Sequence, residues 1–235
     1  SVGSGAPWSA VSSGTTNALR TITVFTASRI YLTGDSSTGR LSTDGGSSFG
    51  AGAAAMADAR RTVRFSASVA VAFANTGTSA ARTTDGGATW TAITVPSFSN
   101  VRGACAFDEA RAIAVSSTGV VLRTIDGGTT WTSSTLAGVT TTQAGVVRTS
   151  ALVAVIVTTS GTSYYSFDAG ASWTAISTAL TNATAAFAIE DTTAVAVGNG
   201  VQFRSLPEYS YDSGTQFITP SLAGIGAGLT GYIKA

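Results

Sequence analysis

An all-β fold built from repeated four-stranded units is what this sequence predicts, and three observations carry that prediction. A six-residue box recurs in register at Asp44-Gly45-Gly46-Ser47-Ser48-Phe49, Asp85-Gly86-Gly87-Ala88-Thr89-Trp90, Asp126-Gly127-Gly128-Thr129-Thr130-Trp131 and Asp168-Ala169-Gly170-Ala171-Ser172-Trp173. The Asp-to-Asp spacings are 41, 41 and 42 residues, which is the length of a four-stranded propeller blade. Between boxes, short apolar runs alternate with turn residues, and no stretch holds a helical period. Residues 51–61 are the nearest helical rival, and they fall where two strands must be joined.

Each unit opens with a strand, expected at 20–25, 62–65, 102–107, 145–148 and 185–189. A hairpin follows, clearest at 110–124, where Ser116-Ser117-Thr118-Gly119 separates two apolar runs. Its equivalents pair 29–32 with 39–42, 69–73 with 79–83, 152–157 with 162–167, and 193–197 with 201–204. The box then turns the chain into a fourth strand that begins at the aromatic. The last unit, 183–206, supplies only three strands. Trp8-Ser9-Ala10-Val11, preceded by a decayed box at Gly3–Pro7, is expected to provide the fourth. Pairing both chain ends in one blade closes a five-bladed ring and hides sheet edges that would otherwise template aggregation. The alternative is six blades, with 212–217 as that fourth strand and Trp8 opening another blade. The propeller is assigned to 1–206 and a C-terminal extension to 207–235.

Composition excludes several function classes. Only 11% of the 235 residues are charged, and 13 basic residues face 12 acidic ones. Neither nucleic acid nor an anionic membrane surface is an expected partner, because both need a concentrated basic field. No segment is long and apolar enough for a helical membrane span. The absence of His removes the commonest general base and metal ligand, and a single Cys rules out an intrachain disulfide or a Cys-based zinc site. No cofactor and no metal are expected.

The pattern Arg-Thr-x-Asp-Gly-Gly-x-Thr-Trp resembles the Asp-box, or BNR, repeat. Its fuller form at Ala114–Trp131 is similar to the propeller family related to the photosystem II assembly factor. That resemblance covers about residues 1–206 and implies the propeller fold, with the boxes at the blade periphery away from the face where ligands bind. It leaves function open, since the repeat occurs in sialidases, other glycosidases, sorting receptors, assembly factors and virion proteins. A structural role is expected for Asp44, Asp85, Asp126 and Asp168, each accepting backbone N–H bonds from two or three residues on. Gly46, Gly87, Gly128 and Gly170 take the left-handed positions of the turn, and Phe49, Trp90, Trp131 and Trp173 pack between sheets. Arg40, Arg82, Arg123 and Arg204 precede the boxes or their equivalents, and form a candidate anion-binding ring or, alternatively, pair locally within each blade.

A sialidase would need an Arg triad, a Tyr nucleophile paired with Glu, and an Asp acid. Arg29-Ile30-Tyr31 is the one similar motif, and it sits at an ordinary repeat position. Glu109 and Glu190 occupy equivalent hairpin turns beside Asp108 and Asp191, where neighbouring side chains point apart. Cys105 reads as a core residue. No enzymatic activity is expected.

From residue 207 the repeat stops. Thr215-Gln216-Phe217, Pro220 and Tyr232-Ile233-Lys234 resemble the closing segment of phage tail and fibre proteins. Phe217, Tyr232 and Ile233 are therefore candidate partner-binding residues. The expected function is a non-enzymatic structural or binding propeller, of a virion (phage tail, fibre or decoration) or of an extracellular surface. It acts through other structural proteins, as a homo-oligomer or a virion or filament component. The alternatives are an assembly-factor-like chaperone using an Arg face, and a glycan-binding or degenerate sialidase-like module.

Overall fold

In the computed structural model of this chain, residues 9–139, 143–148, 150–159, 162–177, 185–190, 193–197 and 201–205 are described. Every regular element among them is a β-strand, and no helix occupies 51–61. The first blade holds β1 (Leu19–Val24), β2 (Ile30–Gly34), β3 (Gly39–Ser42) and β4 (Gly50–Ala51). The second holds β5 (Ala59–Arg64), β6 (Ala70–Ala74), β7 (Thr76–Thr83) and β8 (Thr91–Ser99). The third holds β9 (Val101–Ala106), β10 (Ala112–Ser116), β11 (Val120–Thr124) and β12 (Thr132–Thr135). The fourth holds β13 (Gln143–Arg148), β14 (Ala154–Thr158), β15 (Thr162–Ser166) and β16 (Thr174–Ser177). A last sheet contains β17 (Ala185–Glu190), β18 (Thr193–Val197) and β19 (Val201–Ser205).

Each sheet is an antiparallel meander in chain order. The first strands pack side by side in succession, β1 on β5, β5 on β9, β9 on β13 and β13 on β17. The second strands β6, β10 and β14 are buried along nearly their whole length, on both faces. That is why AVAFA, AIAVS and AVIVT read as continuous apolar runs rather than alternating ones. The core therefore lies between blades. Val71 and Phe73 of the second blade pack with Ala112, Leu122 and Trp131 of the third, and Ile113 and Val115 of the third pack with Ile156 and Tyr164 of the fourth.

No fourth strand joins β17–β19 among the described residues. The expected partner strand at 8–11 is not seen: Trp8 lies outside the described residues, and 9–18 form no strand. The loose box at 212–217 and the whole extension 207–235, with Phe217, Tyr232 and Ile233, also lie outside them. The repeat leaves two rims. One carries the turns from each first strand to its second, together with the boxes. The other carries the starts of the first strands and the turns between second and third strands, because Leu19 pairs with Gly34 and Thr33 with Gly39.

Trp131 is buried, its ring edge-on to Phe73 of the preceding blade at 5.1 Å. Trp131→Ala should lower stability by about 3–5 kcal/mol, read from a denaturant melt. A loss under about 1 kcal/mol, within the range of ordinary surface changes, would contradict that packing role.

Candidate functional site

The four boxes share one hydrogen-bond pattern. The hydroxyl two residues ahead (Ser42, Thr83, Thr124 or Ser166) donates to Asp Oδ1 at 2.7–2.8 Å. The same Oδ1 accepts the backbone N–H four residues on (Ser48, Thr89, Thr130 or Ser172) at 2.9–3.0 Å. That residue's hydroxyl donates to Oδ2 at 2.5–2.6 Å. The reach is thus four residues rather than the two or three expected; a third-residue bond appears at Asp126, from the Thr129 N–H at 3.0 Å. Hydrogen bonds from Ser48 pull Asp44 down to about 2. Partial burial opposes ionisation at Asp85, yet bonds from Thr89 and Thr83 still bring it to about 2. Asp126 and Asp168 are lowered by the same balance, burial working against the hydroxyl and N–H donors.

The box of each later blade, from the second to the fourth, is also a joint between blades. At its second position Gly86, Gly127 and Ala169 donate their N–H to the first turn of their own blade, to Ser68, Ala110 and Leu152, at 2.8–2.9 Å. Their carbonyls accept a guanidinium from the preceding blade: Arg29 Nε to Gly86 O at 2.6 Å, Arg82 Nε to Gly127 O at 2.8 Å, and Arg123 Nε to Ala169 O at 3.0 Å. The third position lies against the same preceding blade. A Cβ on Gly128 would stand 2.5 Å from Val71 Cγ2, and φ there is +79°. The second position is less demanding, since Ala169 holds φ 55° there. Trp90 likewise packs on Tyr31 of the first blade, ring centroids 5.1 Å apart, and Trp173 packs against the core of the third.

These contacts place the candidate arginine ring. Arg82 and Arg123 stand three residues ahead of their Asp and reach into the next blade rather than pairing within their own. Arg40 stands four ahead of Asp44, one step out of register, so the two-residue period of a strand puts it on the other face. It donates instead to the Gly14 carbonyl. Leu41 occupies the equivalent of Arg82, and Arg29, just ahead of β2, supplies the first joint. Of Arg204 only the backbone, in β19, is described.

Other residues singled out from the sequence are occupied within the fold. Tyr31 is buried, its hydroxyl donates to Ala53 O at 2.7 Å, and burial pushes it up to about 12. Burial likewise raises the Cys105 thiol to about 12, with Arg148 pulling weakly the other way. Asp108 accepts the Arg111 N–H at 2.6 Å and pairs with its guanidinium. Among the described residues no group of His, Cys, Asp and Glu could hold a metal ion.

The opposite rim holds an arrangement that sequence reading missed. In β1, β5 and β9 the register slips by one residue near the strand start, between Leu19 and Thr21, between Ala59 and Arg61, and between Val101 and Gly103. The extra residue of each bulge is an arginine: Arg20, Arg60 and Arg102. A bulge leaves its extra residue unpaired and re-aims its side chain. Three successive first strands therefore offer a guanidinium at one level of one rim, joined by Arg61. Arg61 Nε donates to Arg102 O at 2.9 Å and its Nη1 to Arg60 O at 2.9 Å. Burial and the charges of Arg102 and Arg60 lower the Arg61 pKa. Asp35, in the turn after β2, takes Arg20 in a bidentate pair, with Nε–Oδ1 3.0 Å and Nη2–Oδ2 2.5 Å. The corresponding bulge of β13 carries Ala144, so the arc ends at the third blade. The signal was present as Arg at 20, 60 and 102, spaced 40 and 42 residues.

The family described as photosynthesis system II assembly factor YCF48 matches over residues 73–209. No curated protein matches the sequence. Among solved structures, YCF48 bound to D1 peptide is similar at 18% identity and TM-score 0.65, covering 92% of this chain and 72% of that one. YCF48 from Cyanidioschyzon merolae is similar at 16% identity and TM-score 0.63, covering 86% and 71%. The WD40 β-propeller domain of Doa1 is similar at 12% identity and TM-score 0.58, covering 81% and 66%.

Arg123→Ala removes the charged donor from the Ala169 carbonyl and should cost about 1–3 kcal/mol in a denaturant melt; an unchanged midpoint would contradict the joint. The box carboxylates ionise more readily folded than unfolded. Their stabilisation is therefore complete above the ordinary value of 3.8 and is lost as pH falls towards about 2. Thermal melts from pH 6 to 2 should show the midpoint falling mainly below about pH 4, and a level midpoint over that range would contradict the prediction.

Proposed function

The chain belongs to the photosynthesis system II assembly factor YCF48 family, and on that premise we propose that it is a non-enzymatic, five-bladed propeller that binds a partner polypeptide in an assembly role. The contact surface is the rim of Arg20, Arg60, Arg61 and Arg102. The observation that carries this reading is the placement of three arginines at equivalent bulges of successive strands, on the rim opposite the boxes. The hydrogen bonds of the boxes and their arginines hold blades together, which leaves the other rim open for a ligand. A polypeptide ligand is favoured because YCF48 has been solved with a D1 peptide bound. Guanidiniums recognise carboxylates by paired, charge-assisted hydrogen bonds, so the segment bound is acidic or ends in its free carboxylate. The family match supports this assembly-factor reading; the virion reading has only the resemblance of residues 207–235.

Fluorescence anisotropy with short labelled peptides tests the proposal. Acidic peptides with free carboxyl termini should bind in preference to basic ones, and Arg102→Ala should weaken them about tenfold, or 1.4 kcal/mol, with the fold intact. Equal binding of acidic and basic peptides, or no loss in the variant, would overturn it.

A further inference from the structure

The arginine rim is divided, and the division has a chemical consequence. Arg20 is neutralised by Asp35, whose carboxylate takes both its Nε and Nη2. Arg60 lies between two carboxylates, Nη2 3.9 Å from Asp35 Oδ1 and Nε 3.1 Å from Asp58 Oδ1. The Arg60 Nε is buried there without a hydrogen-bond acceptor, so its pairing is one of charge alone. On the other side Arg61 has only backbone carbonyls, and the exposed Arg102 guanidinium has no acceptor among the described residues. Four cations thus meet two anions, both on the Arg20–Arg60 side.

We propose that Asp35 is the specificity-determining residue of this rim: it confines anion binding to the Arg61–Arg102 half and so selects a single carboxylate over an extended polyanion. The inference rests on the peptide-binding reading above and adds what the site refuses. One carboxylate fits beside Arg61 and Arg102, where it relieves the repulsion between two neighbouring guanidiniums. A chain of phosphates or sulfates tracking along all three bulges meets Asp35 and Asp58 next, and like charges brought together at a contact surface suppress the wrong partner. Arg20 stays charged and correctly held, but its donors already have a partner. Asp35 is itself ionised under working conditions, since the Arg20 hydrogen bonds hold it below the usual carboxylate range.

The test compares wild type with Asp35→Asn, which keeps an oxygen acceptor for Arg20 and removes the charge. The probes are a peptide whose one carboxylate is its free carboxyl terminus and a single-stranded oligothymidylate, by anisotropy at fixed low salt. Wild type should bind the peptide and take the oligonucleotide at least about tenfold more weakly. Asp35→Asn should tighten the oligonucleotide by about tenfold and leave the peptide within about twofold, a change near the limit of additivity. Asp58→Asn, which removes the second carboxylate, should move the oligonucleotide in the same direction and serves if Asp35→Asn melts at a lower temperature. Unchanged oligonucleotide binding in both variants, with peptide binding intact, overturns the specificity role alone. A parallel loss of peptide binding makes Asp35 a positioning residue for Arg20 and also overturns it. No peptide binding by wild type removes the peptide-binding reading and this inference together.

Discussion

One residue in each of the second, third and fourth boxes joins the molecule. Its N–H is given to the first turn of its own blade and its carbonyl to an arginine of the preceding blade, as at Gly127 between Ala110 and Arg82. The two groups lie in adjacent peptide planes that meet at one α-carbon, so with the left-handed turn held at that residue they tie the first turn of one sheet to the sheet before it. The Asp completes the turn that aims these two groups, the following glycine brings them close, and the Trp fills the space beneath. The uniform distances at Asp44, Asp85, Asp126 and Asp168 reflect one shared turn conformation, which serves as a joint at the last three. The chain needs such joints because its faces are poor in large side chains: many buried positions are Ala, Val, Ser or Thr. Shallow packing alone leaves sheets free to slide, and charge-assisted hydrogen bonds across each gap supply direction.

The same backbone repeat makes a different device at the other rim. A bulge costs a ladder hydrogen bond and earns a re-aimed side chain, and here it is used three times with the same residue type. The net charge of +1 conceals this, because the acidic residues are not spread evenly against the basic ones. Asp35 and Asp58 sit beside Arg20 and Arg60, while Arg61 and Arg102 are left with carbonyls or with none. What the rim attracts depends on this local imbalance rather than on the total.

Much of the architecture was legible because boxes with near-constant spacing demand nearly identical units, and strand positions such as 110–124 follow from apolar runs and turn residues. The arginines were legible only in part. Arg82 and Arg123 were found by their offset, but a sequence gives no direction to a side chain beyond its own strand, and their acceptors lie 45 and 46 residues away. Arg40 was grouped with them although a one-residue difference in offset turns it to the opposite face. The trio of bulges escaped because Arg60 and Arg61 are adjacent, which masks the spacing, and because a bulge is a slip of register between two strands that neither strand announces.

By itself, then, the sequence determined the all-β class, the four-stranded repeat and the turn chemistry of the boxes, since these depend on local periodicity, on residue types that tolerate left-handed backbone and on short-range hydrogen bonds. Only the tertiary structure decided which blade each arginine serves, that Arg29 replaces Arg82's equivalent in the first blade, and that Arg20, Arg60 and Arg102 stand together. Those facts depend on strand register and on contacts across more than forty residues, where a shift of a single residue changes the face on which a charge appears.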